Sequence, residues 1–315
     1  MKDLVLFGDC RKTLPAFIDE ARMCVTSPPY YGLRDYGGEE SQIGMEQSPE
    51  EYIQQLVEVF RLVRDNLTDD GTLWVNIGDS YYNYRSDGNY PKQTVSKTRQ
   101  DLPTKTPVRG NKLKGLKSKD LIGIPWMLAF ALRADGWYLR QDIIWHKPNP
   151  MPESVKDRCT KAHEYIFLLS KNKNYYYNNE AIKEPAKDWG TRDRSNGKYH
   201  NPGSGLVPHS GLTKSYERKN KRSVWSVTKK PYKGAHFAVF PPELIEPCIL
   251  AGSEPGDIIL DPFMGSGTTA MVAKQHGRYY MGCELHEDYG ELIKNRQSEA
   301  TEGVSQANGL TDLFY

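Results

Sequence analysis

Cysteine is scarce in this 315-residue chain, and its spacing is uninformative for ligation. Cys10, Cys24, Cys159, Cys248 and Cys283 include no C-x-x-C pair, which argues against a zinc site and a disulfide framework and fits a reducing compartment. Long apolar runs are also lacking. No stretch reaches the roughly 20 residues of a membrane span, and the opening MKDLVLFGDC has no signal-peptide core. A cytoplasmic protein is expected. Neither charge sign dominates, since the net charge is only +2. The hydrophobic fraction of 38% supports a core for one large domain, or for a domain with an insert.

What is present alternates. DLVLF (3–7) reads as a short strand, a helix is expected over about 11–20, and RMCVTS is a second strand. Residues 50–67 place Ile53, Leu56, Val57, Phe60, Val63 and Leu67 at helical spacing, and DDG then turns into the strand TLWVNIG. A helix over 122–135 precedes the strand YLRQDIIW (138–145), and EYIFLLSK is read as a strand hairpinned with NYYYN (174–178). PPELIEPCILAGS, DIILD, GTTAMVAKQHG and RYYMGCEL then read as helix, strand, helix, strand. The alternation predicts an α/β, doubly wound, mostly parallel sheet.

Two basic stretches interrupt it. Residues 85–119 carry ten Lys/Arg against Asp87 and Asp101. Residues 186–233 carry twelve against Asp188, Asp193 and Glu217, with Trp189, Tyr199, Tyr216, Trp225 and Tyr232 interleaved. One such run is most simply a solvated loop; two, one of them rich in aromatics, favour a polyanion-binding surface. The tail from 299 has no core pattern.

Chemistry concentrates in two motifs. In VTSPPYYG, two prolines follow a β-branched strand end and cannot continue a ladder, because neither has an N–H. They make a rigid corner flanked by the Ser27 hydroxyl and the Tyr30 ring, suited to a flat group bearing an amine. Tyr31 reads as core packing. In DIILDPFMGSGTTAMVA (257–273), a strand, a glycine turn and a helix follow one another. No Gly-Lys-Ser/Thr follows, so it is not a phosphate loop, and Thr268-Thr269-Ala270 after Gly267 departs from G-x-G-x-x-G. About twenty residues on, a strand ends at Glu284, placed to accept ribose hydroxyls. Each feature alone is ordinary; in this order they suit a cofactor with a ribose and no phosphate, S-adenosyl-L-methionine.

TSPPY with DPFMGSGTT resembles the amino-directed DNA methyltransferases, which act on cytosine N4 or adenine N6. The catalytic motif precedes the glycine turn, as in their beta group, whose sheet is circularly permuted. The resemblance implies a Rossmann-like methyltransferase fold with an inserted DNA-recognition region. Its parts would be a catalytic half (1–150, with the basic loop 85–119), a recognition region (151–235), a cofactor half (236–298) and a tail (299–315). DIIWHKPNPMP and HEYIFLLSKN are similar to core strands before the recognition region. The resemblance also implies a set of cofactor contacts. LFGDC supplies Asp9 and Cys10, and Thr26 follows. HFAVFPPELIEPCI (236–249) supplies Phe240. Asp261, Pro262, Phe263, Gly265, Ser266, Gly267 and Thr268 come from the glycine turn, and Glu284 and Leu285 from the strand after it.

Ser27, Pro28, Pro29 and Tyr30 are the implied catalytic corner. Ser27 and the Pro28 carbonyl would accept from the target amine, and Tyr30 would stack on the base. Serine in the first motif position leans toward cytosine N4, and adenine N6 remains the alternative. A cytosine-C5 enzyme would need a nucleophilic cysteine in Pro-Cys-Gln; the one Pro-Cys is Pro247-Cys248-Ile249, within an apolar helix pattern. RNA and protein-glutamine methyltransferases share an N/D-P-P-Y motif but normally carry the glycine loop before it. A non-enzymatic DNA-binding module would need no pocket. His146 and His163 read as structural. The implied partner is double-stranded DNA, with no membrane; a separately acting cognate restriction endonuclease, a bacterial, archaeal or phage origin, and a monomer or homodimer are compatible.

The two inserts are expected to divide DNA contact. Neutralising Lys112, Lys114 and Lys117 should weaken binding to all DNA sequences alike and flatten its salt dependence. Among changes at Arg192, Arg194 and Arg222, at least one should relax site choice, by roughly 1–3 kcal/mol. Methylation-site sequencing separates the two effects; a motif altered by the lysine changes and by none of the arginine changes would reverse the assignment.

Overall fold

The strands are β1 (Leu4–Phe7), β2 (Ala21–Thr26), β3 (Leu67–Ile77), β4 (Tyr138–His146), β5 (His163–Ser170), β6 (Glu184–Pro185), β7 (Arg218–Lys219), β8 (Val224–Ser226), β9 (Ile258–Asp261) and β10 (Tyr279–Glu284). The helices are α1 (Cys10–Thr13), α2 (Pro49–Asp65), α3 (Ile124–Ala134), α4 (Pro242–Gly252) and α5 (Thr268–Gln275), with α6 over 290–298. These come from a computed structural model that describes residues 2–32, 42–82, 115–186, 217–229 and 240–298.

An eight-stranded sheet runs in the order β1-β10-β9-β2-β3-β5-β4-β8. Every neighbouring pair is parallel except the two that involve β5, which is antiparallel to both β3 and β4. From β9 the chain proceeds through β10 toward one edge, and from β2 through β3 toward the other. The carboxyl ends of β2 and β9 therefore flank a topological switch point, where open α/β sheets form their ligand crevice.

Side chains sort onto two faces. Leu73, Val75 and Ile77 of β3 join α1, α2 and α3 in one core, while Trp74 joins α4 and α5 in the other. In β2 the sorting exposes a register shift against β3. Ala21 and Met23 are two apart yet lie in opposite cores, because the register shifts between them. The extra residues are on β3, where Leu67 to Thr72 lie opposite Ala21 to Met23, so the expected DDG turn is a bulge within the strand: Asp70 is ion-paired to Arg22, and a Cβ at Gly71 would stand 2.9 Å from the Thr68 carbonyl. α2 starts as its sequence dictates. Pro49 is in the first turn, and the Ser48 hydroxyl accepts from Glu51 N at 3.2 Å.

Two further expectations are corrected. The helix over 11–20 ends at Thr13 and continues only as a 3-10 turn, Leu14–Ala16, because Pro15 cannot donate to the helix ladder. NYYYN forms no hairpin with β5, whose two edges are already taken by β3 and β4. Instead Tyr176 N donates to Asp70 O (2.9 Å), Asn178 N donates to Ala251 O (2.8 Å), and Tyr177 stacks on Trp74. Residues 163–170 and 224–226, inside the 151–235 span, are strands of the main sheet. Most of the two basic inserts lies outside the described residues.

Gly282 on β10 passes close to β9: a Cβ there would meet Met264 Cε and stand 2.8 Å from Asp261 O. Gly282→Ala should cost about 1–3 kcal/mol of stability through backbone displacement. A lowered urea midpoint at unchanged m-value would show it, and an unchanged midpoint would refute it.

Candidate active site at the carboxyl edge of the sheet

The end of β2 and the glycine turn after β9 are joined by one carboxylate. Asp261 is 1% exposed. Its Oδ1 accepts from Thr26 Oγ1 (2.6 Å) and from Phe263 N (3.0 Å), and its Oδ2 accepts from Thr269 Oγ1 (2.6 Å). Thr26 is the residue before Ser27, and Thr269 lies in the first turn of α5. Burial raises the Asp261 pKa to about 6, while the hydrogen bonds from Thr26, Thr269 and Phe263 pull it down.

Beyond Asp261 the backbone turns through Gly265 (φ 55°) and Gly267 (φ 84°), in the left-handed region that favours glycine. At Gly267 there is no room either, since a Cβ would stand 3.1 Å from Ile293 Cα on α6. Pro262 and Ser266 are buried and Phe263 half-buried. Thr268 Oγ1 is held by Arg296 of α6. Glu284, at the end of β10, accepts from Gly265 N through Oε2 (2.8 Å) and from His286 N through Oε1 (3.1 Å). Burial pushes its pKa up against those two bonds.

Next to these, β1 ends in Gly8, whose N–H donates to Glu284 O at 2.8 Å, and delivers Asp9 and Cys10 to the same edge. Asp9 caps α1, accepting from Arg11 N at 3.0 Å, and also receives the Arg11 guanidinium. Burial alone would raise its pKa; Arg11 outweighs that and holds it below the usual carboxylate range. Cys10 is buried, which drives its thiol pKa up and makes it a packing residue in this state. Leu285 is half-buried, and Phe240 packs against the core on the α4 side.

This arrangement fits S-adenosylmethionine. The Glu284 carboxylate sits beside a turn that exposes backbone, and each of its oxygens keeps a lone pair for a diol. Ser266 Oγ, among the described residues, is buried with no hydrogen-bond partner and is a polar atom that a ligand can satisfy.

The proline corner leaves β2 beside this turn. Pro28 is buried, and the Pro29 carbonyl accepts from Tyr52 Oη on α2 at 2.7 Å. Tyr31 packs on Tyr52, as core packing requires. The Tyr30 ring crosses Gly78, just past β3, where a Cβ would stand 2.7 Å from Tyr30 Cε2. Tyr30 Oη donates to Glu164 Oε2 at 2.7 Å. Glu164 Oε1 pairs with the nearly buried Lys147, and Asn76 Nδ2 donates to Tyr165 O (3.1 Å) and toward Glu164 Oε2 (3.4 Å). Burial, and then the negative Glu164, hold the Tyr30 pKa well above the usual phenol range.

Sequence reading missed Asn76, Gly78, Lys147 and Glu164 as parts of the site. Lys147 and Glu164 sit where apolar strands end, in WHKPNP and HEYIFLL, and a charged residue there was the available signal. His146 bonds Ser226 across to β8 and His163 packs edge-on to Tyr165, both structural. Of the expected DNA contacts, Lys117 is exposed and paired with Asp120 at 3.4 Å, and Arg222 is exposed and paired with Glu184 at 3.2 Å near the β8 edge. Lys112, Lys114, Arg192 and Arg194 lie outside the described residues. Among the described residues no group of His, Cys, Asp and Glu could hold a metal, and no helix is long and apolar enough to cross a membrane.

The switch-point crevice brings a proline corner on one strand together with a glycine turn and a buried carboxylate on its neighbours. The DNA methylase family of N6- and N4-directed enzymes matches residues 21–295. The chain belongs to that family and takes its methyl group from S-adenosylmethionine. It is 48% identical over 297 residues to the type II methyltransferase M.SmaI of Serratia marcescens, covering 93% of this chain and 89% of that protein. It is also 48% identical over 285 residues to the type II methyltransferase M.Cfr9I of Citrobacter freundii, covering 89% and 82%. Among solved structures it is similar to the PvuII cytosine-N4-specific DNA methyltransferase (TM-score 0.60, 18% identity, 97% and 92% covered). It is likewise similar to a putative DNA modification methylase from Thermus thermophilus, complexed with S-adenosylmethionine (TM-score 0.56, 24% identity, 93% and 92% covered). Those two likenesses show the fold.

The raised Asp261 pKa has a pH consequence. Between the ordinary value of 3.8 and about 6 the folded chain holds a proton that the unfolded chain has lost. The stability this provides is complete below 3.8 and is lost as pH rises through about 6. Relative to the non-titrating Asp261→Asn variant, the protein should therefore gain about 1 kcal/mol in unfolding free energy on going from about pH 7 to about pH 5. Urea melts at both pH values measure it; a constant difference would mean that Asp261 does not titrate there.

Proposed function

We propose that the chain is a site-specific type II enzyme that methylates the exocyclic N4 amine of cytosine in double-stranded DNA. The observation that carries this reading is the Ser27-Pro28-Pro29-Tyr30 corner, bonded through Thr26 and Asp261 to the glycine turn. Serine at the head of that corner supports cytosine, and adenine N6 with the same fold and cofactor is the second reading. The match to the DNA methylase family supports DNA as the substrate.

The target amine is a weak nucleophile because its lone pair is delocalised into the ring. Ser27 Oγ and the Pro28 carbonyl accept its two N–H bonds and so hold the nitrogen closer to tetrahedral, with the lone pair directed outward. Tyr30 supplies a flat wall whose hydroxyl is pinned to Glu164. The base must leave the duplex to reach this corner, at roughly a few kcal/mol. S-adenosylmethionine, when bound, supplies an electrophilic methyl on sulfur. Glu284 holds the ribose diol, and Ser266 and the Gly265–Gly267 backbone close on the remainder. Transfer is direct and in line, so positioning supplies most of the rate, with no covalent link between protein and base. Buried Cys248 and the other described cysteines have no nucleophilic part.

The roles separate experimentally. Ser27→Ala and Tyr30→Ala should lower methyl transfer while leaving S-adenosylmethionine affinity nearly unchanged. Glu284→Ala and Gly265→Val should weaken that affinity by roughly tenfold or more, through a lost charge-assisted acceptor and a side chain forced into the glycine turn. Calorimetry and a radiolabelled transfer assay on DNA give both quantities, and equal losses in both for Ser27→Ala would overturn its role. Mass spectrometry of nucleosides from the methylated DNA decides the base: N4-methylcytosine is expected, and N6-methyladenine would select the second reading.

A further inference from the structure

Pro28 and Pro29 have no N–H, so their peptide planes are not held, as in other turns, by amide donors of their own. What the corner offers is carbonyls, and one of them is taken from outside. We infer that Tyr52 of α2 is a positioning residue for the target corner: by donating to the Pro29 carbonyl it holds the corner in the conformation that presents the Pro28 carbonyl to the target amine. This rests on the reading of Ser27 and the Pro28 carbonyl as the acceptors of that amine.

Tyr52 Oη donates to Pro29 O at 2.7 Å, and Tyr52 is buried, so water does not compete for that carbonyl. A phenol has a single proton to give, and here it goes to Pro29. Burial, and then the negative Glu46, hold the Tyr52 pKa well above the usual phenol range, and the hydroxyl stays a donor. The ring starts from a fixed point. Ser48 caps α2 and Pro49 opens it, which places Tyr52 at the end of the first turn with its N–H on Ser48 O at 3.2 Å. Its ring packs on that of Tyr31, two residues beyond Pro29, with 5.5 Å between centroids.

The chain is tied on both sides of this bond as well. Before it, Thr26 is bonded to Asp261; after it, Gly32 N donates to Gly44 O at 2.8 Å. Gly44 itself lies against the corner at φ 103°, where a Cβ would stand 3.2 Å from Tyr30 O and 3.5 Å from Pro29 Cβ. Those two ties fix where the chain enters and leaves. Among the described residues, the Tyr52 bond is the one that falls on a carbonyl of the proline pair itself. With both ends held, the plane at Pro29 cannot turn without a compensating turn at Pro28, because each peptide unit moves as a rigid plane. Fixing the second carbonyl therefore fixes the direction of the first.

Tyr52→Phe removes one oxygen and keeps the ring on Tyr31. Single-turnover methyl transfer should fall roughly 10- to 100-fold, with calorimetric S-adenosylmethionine affinity and Kd for DNA within about twofold. Returning a donor should return the rate: 4-aminophenylalanine at position 52 restores most of it, and 4-fluorophenylalanine, which refills the space without a donor, does not. Val59→Ala, further along α2 and buried in the same core, opens a cavity away from the corner and should keep full rate. A merely structural Tyr52 predicts a lower urea midpoint in both variants and an unchanged rate in both. Should Tyr52→Phe fail to fold, the protein with 4-fluorophenylalanine decides by the same criterion. Full rate in Tyr52→Phe, equal rates with the amino and fluoro side chains, an equal loss of cofactor affinity, or an equal loss of rate in Val59→Ala overturns the inference. Ser27→Ala in the same series separates the two levels. If it is slow while Tyr52→Phe is not, the role of the corner stands and the Tyr52 inference falls; if it keeps full rate, the underlying reading falls.

Discussion

A carboxylate shut off from water holds the two motif-bearing strands together. Asp261 receives three hydrogen bonds, from the end of β2, from the turn after β9 and from the start of α5. An ionised carboxylate without them would be very costly at that depth, so the three donors must converge for the site to exist at all. The same convergence places Ser27 one residue from a Thr26 that cannot move independently of the glycine turn. The proline corner and the glycine turn are thus tied to one buried group.

The second set of buried charges has a different form. Lys147 and Glu164 pair in a half-enclosed corner, where each ion's loss of solvation is offset by the other and by Tyr30 and Asn76. A pair of this kind contributes little certain stability, and its retention is better explained by what it orients. It orients Tyr30, the residue whose ring would face the base. Glu284 is the third case, a carboxylate with two backbone N–H partners whose remaining lone pairs face the crevice. The crevice therefore has one carboxylate joining β2 to the glycine turn, one bonded to that turn from β10 and one behind the proline corner.

Chain order has no bearing on these contacts. Thr26 and Asp261 are 235 residues apart and are hydrogen-bonded, because β2 and β9 are parallel neighbours. A permuted order of catalytic and cofactor segments is compatible with the same crevice, since a parallel sheet defines its switch point by spatial order and not by sequence order. The span 163–226 illustrates this. Its strands β5 and β8 complete the sheet, with β5 wedged between β3 and β4.

The two motifs were legible in the sequence because each is local. A strand followed by Ser27-Pro28-Pro29 must turn, and Gly265 and Gly267 must allow left-handed backbone, whatever surrounds them. Most helices and strands were legible for the same reason, from periodicities of 3.6 and 2. The errors came where distant partners override local preference. DDG became a bulge within β3 because the residues on either side of it, Leu67 and Thr72, pair with β2, and NYYYN did not pair with β5 because β3 and β4 had taken both edges. Only tertiary structure could bring Glu164, Lys147, Asn76 and Gly78 to Tyr30. Their side chains carry no pattern of their own, and their meaning comes from three strands and a proline corner ending at one place.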